Sequence, residues 1–188
     1  MFDFLYTEHE IVKNTVEAEG ERFLKNIYKI ENGFYLSFFE ECINSTIADA
    51  YEYFAEMHMD GNIFAKRTNT LTAEKAGRFL KLMAVHHSIM FLKTKKYSES
   101  EFAENLFTTF EMTDAEQKMF RLLYDCEKIY SGSFEGLFAS ALMKYVFGER
   151  KYGIGTIAFI ENFCYNSFEN MYNSFTRYLS PEQRAQGF

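Results

Sequence analysis

Proline occurs once in this 188-residue chain, at Pro181, and valine only four times. That scarcity argues against strands and leaves long helices unopposed by breakers over most of the sequence. Cysteine is also sparse. Cys42, Cys126 and Cys164 make an odd count, lie far apart and show no C-x-x-C spacing. They read as reduced, buried thiols, which is the cytosolic pattern. No stretch approaches the roughly 20 apolar residues a membrane span needs, and no basic segment followed by an apolar run opens the chain. The expected location is therefore the cytoplasm, with no transmembrane segment. Few, scattered glycines and the lack of Ser-rich, Gln-rich or repeated stretches leave no domain boundary. One helical domain over 1–188 follows, with a short C-terminal tail at 180–188.

Aromatics are abundant instead. Twenty-two Phe and 13 Tyr outnumber Leu, Ile and Val combined, while the hydrophobic fraction of 47% is ordinary. Rings have replaced aliphatic side chains in the core. They pack as core where they recur at helical spacing, and they can also line a pocket for a flat or apolar ligand.

An almost unbroken three-to-four residue apolar spacing predicts an all-α bundle of about seven helices with an aromatic-rich core. Capping signals divide it. Thr7-Glu8-His9-Glu10 reads as a capping box that starts the first helix near residue 8, and Asn32-Gly33 ends it. A second helix runs from Phe34 to Asp60-Gly61. Thr72 caps a third that ends near Thr94, and boxes at Ser98 and Thr113 open the fourth and fifth. The sixth spans Phe134 to Phe147, and the seventh follows Gly155 and ends near Leu179.

Charge is segregated. Residues 61–97 hold eight bases (Lys66, Arg67, Lys75, Arg78, Lys81, Lys93, Lys95, Lys96) against one acid, Glu74, in a chain of net charge −7. Fields sum over a surface, so this island marks where an acidic partner, an anion or the protein's own acidic face would dock. Lys75, Arg78, Lys93, Lys95 and Lys96 are the candidate contacts. An acidic surface elsewhere disfavours general nucleic-acid binding.

The third helix is apolar from Leu82 to Leu92 except at His86, His87 and Ser88, so it should be central and buried nearly all round. Ala73, Gly77, Ala84 and Ser88 form a narrow side that lets a neighbour approach closely. Buried histidines among Met and Phe serve as core residues with one hydrogen bond each, or as ligands of an apolar cofactor. His58 lies 29 residues before His87, Phe38 and Phe39 about 50 before it, and Tyr97 10 after it. That spacing is loosely similar to the distal His, corner Phe, proximal His and following Tyr of globins. The resemblance implies a haem held by His87, with His86, Met83 and Met90 around it. It covers four positions, and Asp60-Gly61 with the stretch 66–72 interrupts the helix that would continue from a distal His.

Other chemistry is thinly signalled. Asp49, Glu52, Glu56 and Asp60 share a face, but no Glu-x-x-His occurs, so a di-metal bundle lacks its motif. Gly153-Ile154-Gly155 is an inter-helix turn and no phosphate loop. On the seventh helix Asn162, Asn166, Asn170 and Asn173 form a polar row beside Phe159 and Phe163, either solvated or a surface for a partner. These features together give a non-enzymatic, self-associating regulatory or interaction protein whose basic helix meets an acidic partner or anionic ligand. Its rival is a haem- or apolar-ligand-binding sensor using His87, and a helical metal-dependent enzyme is third.

Overall fold

The computed structural model describes residues 2–59, 72–94, 98–129, 134–148, 154–177 and 181–182. Among these residues there are seven long helices and no strand: α1 (Phe2–Ile27), α2 (Gly33–Met59), α3 (Ala73–Thr94), α4 (Glu99–Thr109), α5 (Asp114–Ile129), α6 (Phe134–Phe147) and α7 (Ile154–Arg177). The caps explain most boundaries. Thr72 Oγ1 accepts the Lys75 N–H at 3.3 Å, and Ser98 Oγ accepts the Glu101 N–H at 3.3 Å. Thr113 and Glu116 form a full capping box, with Thr113 Oγ1 taking the Glu116 N–H and Glu116 Oε1 the Thr113 N–H.

The first helix differs from expectation at both ends. It is already formed at Phe2, so Thr7 lies inside it and not at its N-terminus. No glycine or proline precedes Thr7 to stop the helix propagating upstream. At its other end α1 closes at Ile27 with tight i→i−3 bonds, from Lys29 N to Asn26 O and from Ile30 N to Ile27 O. Asn32 then caps the next helix, its Oδ1 accepting the Phe34 N–H at 3.0 Å.

Helix α3 touches each of the other six helices, so it is the central element. Every residue from Leu82 to Leu92 is buried, including His86, His87 and Ser88. Its small-residue side receives α1, where a Cβ added at Gly77 would lie 3.0 Å from Glu19 Oε2. Around α3 the core is built of rings. Phe23, Phe38, Phe39, Phe79, Phe91, Phe102, Phe110, Phe120, Phe134, Phe138 and Phe175 are among its fully buried side chains. Cys42 and Cys164 are buried free thiols whose pKa burial pushes well above the ordinary value, which keeps them inert; Cys126 is partly exposed, unlike its expected placement. No helix among the described residues is long and apolar enough to cross a membrane.

Candidate functional site: a buried histidine relay and the pocket at its end

The described bases of the island serve the fold. Arg78 bonds Glu74 Oε1 at 2.7 Å and the Tyr145 carbonyl at 3.3 Å, and its guanidinium lies 4.7 Å from the centre of the Tyr145 ring. Lys81 meets Glu116 at 3.1 Å, and Lys93 meets Glu127 at 2.8 Å. Lys75 is partly buried in the first turn of α3. Lys95 and Lys96, with Tyr97, lie outside the described residues, as do the side chains of His58, Glu52 and Glu56. A cleft of about 400 Å³ runs beside this cluster, lined by Arg22, Arg78 and Lys81 and equally by Glu19, Glu74 and Glu116. Its charges already answer one another. An anion entering there would have to compete with carboxylates held in place.

Helix α3 also presents His86 and His87, both 0% exposed. Adjacent helix residues diverge by about 100°, yet these rings turn toward each other, with their Nδ1 atoms 3.2 Å apart. Beyond His87, Nε2 lies 3.5 Å from Ser167 Oγ of α7. Beyond His86, Nε2 lies 3.5 Å from Glu135 Oε2 of α6, and neither of these two atoms has a hydrogen-bond partner. Phe134, Phe138 and Phe168 wall the pair, with ring centres 4.8 to 6.5 Å from His86. Four polar groups from three helices thus form one line through an aromatic core.

The line has two self-consistent polarities. Burial holds the His87 pKa well below its ordinary value, and the neighbouring His86 adds to the effect, so His87 is neutral. A neutral imidazole has one N–H and one acceptor nitrogen. Where His87 Nδ1 donates to His86 Nδ1, its Nε2 accepts the Ser167 hydroxyl; where His87 Nδ1 accepts, its Nε2 donates to Ser167 Oγ.

At the Ser167 end the line reaches a pocket of about 230 Å³ between α2 and α7, formed by Asp49, Phe159, Asn162, Phe163, Asn166, Ser167 and Asn170. The α7 residues recur three and four apart, hence share one face. Asn162, Asn166 and Asn170 belong to the row visible in the sequence, and Phe159 stacks on Phe163 with ring centres 6.3 Å apart. Asp49 belongs to the acidic stripe that sequence reads as solvated or packed against the basic island, and Ser167 and Glu135 were not singled out at all. No known family matches this chain. No curated protein or solved structure does either.

The order Ser, His, His, Glu resembles an activated serine nucleophile, but Ser167 lies deep within α7. Backbone N–H groups there are spent on the helix and supply no oxyanion hole. Nor does the pair suit a haem. Both ring nitrogens of His87 face polar neighbours, and none of the described cavities is lined by His86, His87, Met83 or Met90. Among the described residues no cluster of three or more His, Cys, Asp or Glu is placed to hold a metal ion.

The relay has a pH signature. Unfolded chains bind a proton at a histidine below about pH 6.5 while folded His87 does not, so stability falls as pH drops through that value toward the lower folded pKa. The limiting slope for one proton is about 1.4 kcal/mol per pH unit. His87→Gln is expected to remove this one-proton slope from urea unfolding free energies measured between about pH 7.5 and 5. Equal slopes in both proteins would show that His87 is charged in the fold.

Proposed function

We propose that this protein is a non-enzymatic, ligand-responsive regulatory protein whose α2–α7 pocket takes a small molecule. The observation that supports it is the junction at Ser167, a pocket wall residue that is also the end of the buried histidine line. A ligand that alters the Ser167 hydrogen bond alters the preferred tautomer at His87 and His86 and the register of Glu135, on a different helix. Differential contact of that kind is what a ligand needs to shift a protein between states. The basic helix remains a docking element for an acidic partner in this proposal only through its end beyond Lys93, since Arg78, Lys81 and Lys93 each hold a carboxylate of the same chain.

Titration of isotope-labelled protein with a library of soluble amines, alcohols, amides and carboxylates tests it. Resonances of Asp49, Phe163, Asn166 and Asn170 should shift saturably with at least one class, and those of His87 and Glu135 should follow. If no compound moves the pocket resonances at millimolar concentration, the proposal fails. If the pocket responds while His87 and Glu135 stay fixed, ligand binding stands and the regulatory coupling falls.

A further inference from the structure

We infer that Asn32 is a site of spontaneous covalent modification in the folded protein: the Gly33 amide nitrogen closes on the Asn32 side chain, ammonia leaves, and aspartate or isoaspartate remains at the head of α2. Asn32-Gly33 is the one Asn-Gly pair in the sequence, and both residues are exposed where the chain passes from α1 into α2. Three requirements meet there. The attacking nitrogen must not be held by a hydrogen bond, and the Gly33 N–H, one of the orphan donors at the start of α2, bonds to no described residue. Its approach must be open, and a Cβ built on Gly33 would have nothing within 4 Å. The carboxamide must also accept charge, because addition to Cγ puts a negative charge on Oδ1. That atom already accepts the Phe34 N–H at 3.0 Å, at the positive end of α2, so the cap bond becomes an oxyanion contact as the ring closes.

The reaction needs only water and hydroxide. Hydroxide takes the Gly33 amide proton, a bond forms from Gly33 N to Asn32 Cγ, the Cγ–Nδ2 bond breaks, and Nδ2 leaves as ammonia. Water then opens the succinimide at either carbonyl. Breaking the bond from N to Cγ restores the normal backbone with an aspartyl side chain, whereas breaking the bond from N to the backbone carbonyl carbon routes the chain through Cγ. Either product adds a negative charge to the net −7. Only the second inserts a methylene into the backbone at the α2 cap, next to Phe34, whose ring meets Phe38, Phe91, Phe102 and Phe175. Asn44-Ser45, Asn166-Ser167 and Asn173-Ser174 also pair asparagine with a small residue, but they lie within α2 and α7, where the following N–H is spent on the helix.

Incubation of the folded protein at about pH 7.5 and about pH 8.5 tests this, read by peptide mass spectrometry and by methyl labelling with an isoaspartyl methyltransferase. The peptide holding Asn32 should gain about 1 Da and accept the label, about ten times faster at the higher pH, while peptides holding Asn44, Asn166 and Asn173 stay unchanged. Gly33→Ala, for which the open space at Gly33 has room, should slow the gain roughly tenfold or more with helicity by circular dichroism unaltered. The rate should stay constant across urea concentrations below the unfolding transition. A rate that climbs with urea in step with the unfolded fraction would assign the reaction to the unfolded chain and overturn the inference. So would an Asn32 peptide that gains mass no faster than the three control peptides.

Discussion

Glu116→Ala is expected to lower the unfolding free energy by about 3–5 kcal/mol, the cost of leaving one half of a buried ion pair alone. Glu116 is 3% exposed yet fully engaged. Its Oε1 accepts the Thr113 N–H at 2.9 Å and Lys81 Nζ at 3.1 Å, and its Oε2 accepts the Tyr145 hydroxyl at 2.7 Å. Burial pushes its pKa up, but these hydrogen bonds and the Lys81 charge outweigh burial and leave it below the ordinary carboxylate value. Tyr145, partly buried beside that carboxylate, is pushed up to about 12. Alanine removes the carboxylate half of the α5 capping box and strands both Lys81 and Tyr145. For a chain of this length the loss corresponds to a fall in Tm on the order of 10 °C.

The signs at each end of the pH scale follow from the same two groups. A depressed Glu116 contributes stability above the ordinary glutamate value and loses it as pH falls through the lower folded value. A raised Tyr145 contributes stability below about pH 10 and loses it as pH climbs toward about 12. Glu116→Gln keeps the shape and should flatten the acid limb of a plot of Tm against pH. A Tm for Glu116→Ala within about 2 °C of the parent would mean that the cluster is incidental.

How far the fold could be read depended on the range of the physics. Caps at Thr72, Ser98 and Thr113 are contacts over three residues, so their sequence pattern is nearly their geometry. The same pattern at Thr7 misled, because a cap also needs a residue outside the helical backbone region, and nothing in the residue types reports that. The α4–α5 turn was hidden for a related reason. Glu111 takes the left-handed position, with φ 50°, where a helix end usually has glycine; Met112 N bonds Phe107 O and Glu111 N bonds Thr108 O to close it.

Site residues separate along the same line. The burial of His86 and His87 was legible from the apolar wrap of α3, and the Asn row from its helical spacing. Ser167 sits 80 residues from His87, and Glu116 sits 35 from Lys81. Partners that distant are brought together only by packing. Sequence could count the island's charges and offer the chain's own acidic face as one of three partners, but could not see which carboxylates Arg78, Lys81 and Lys93 meet.

Phe38→Ala is expected to cost about 3–5 kcal/mol, toward the upper end of that range, because the ring it removes joins four helices. Phe38 is fully buried, with neighbours Phe34 and Phe39 on its own helix, Phe91 of α3, Phe102 of α4 and Phe175 of α7 at centre distances of 5.1 to 6.3 Å. Against Phe102 and Phe175 it packs edge to face, at 90° and 88°, the arrangement that the ring quadrupole favours. Those neighbours contact one another as well, Phe91 with Phe102 and with Phe175, so they brace the hole and resist collapsing into it. A cavity that cannot collapse is the expensive kind. Leu122→Ala, at an exposed leucine of α5, is the matched control and should stay within about 0.5 kcal/mol of the parent in the same urea titration. Equal losses from the two substitutions would mean that the ring cluster does not bear the stability of the bundle, and that the replacement of aliphatic by aromatic side chains in this chain is compositional and not structural.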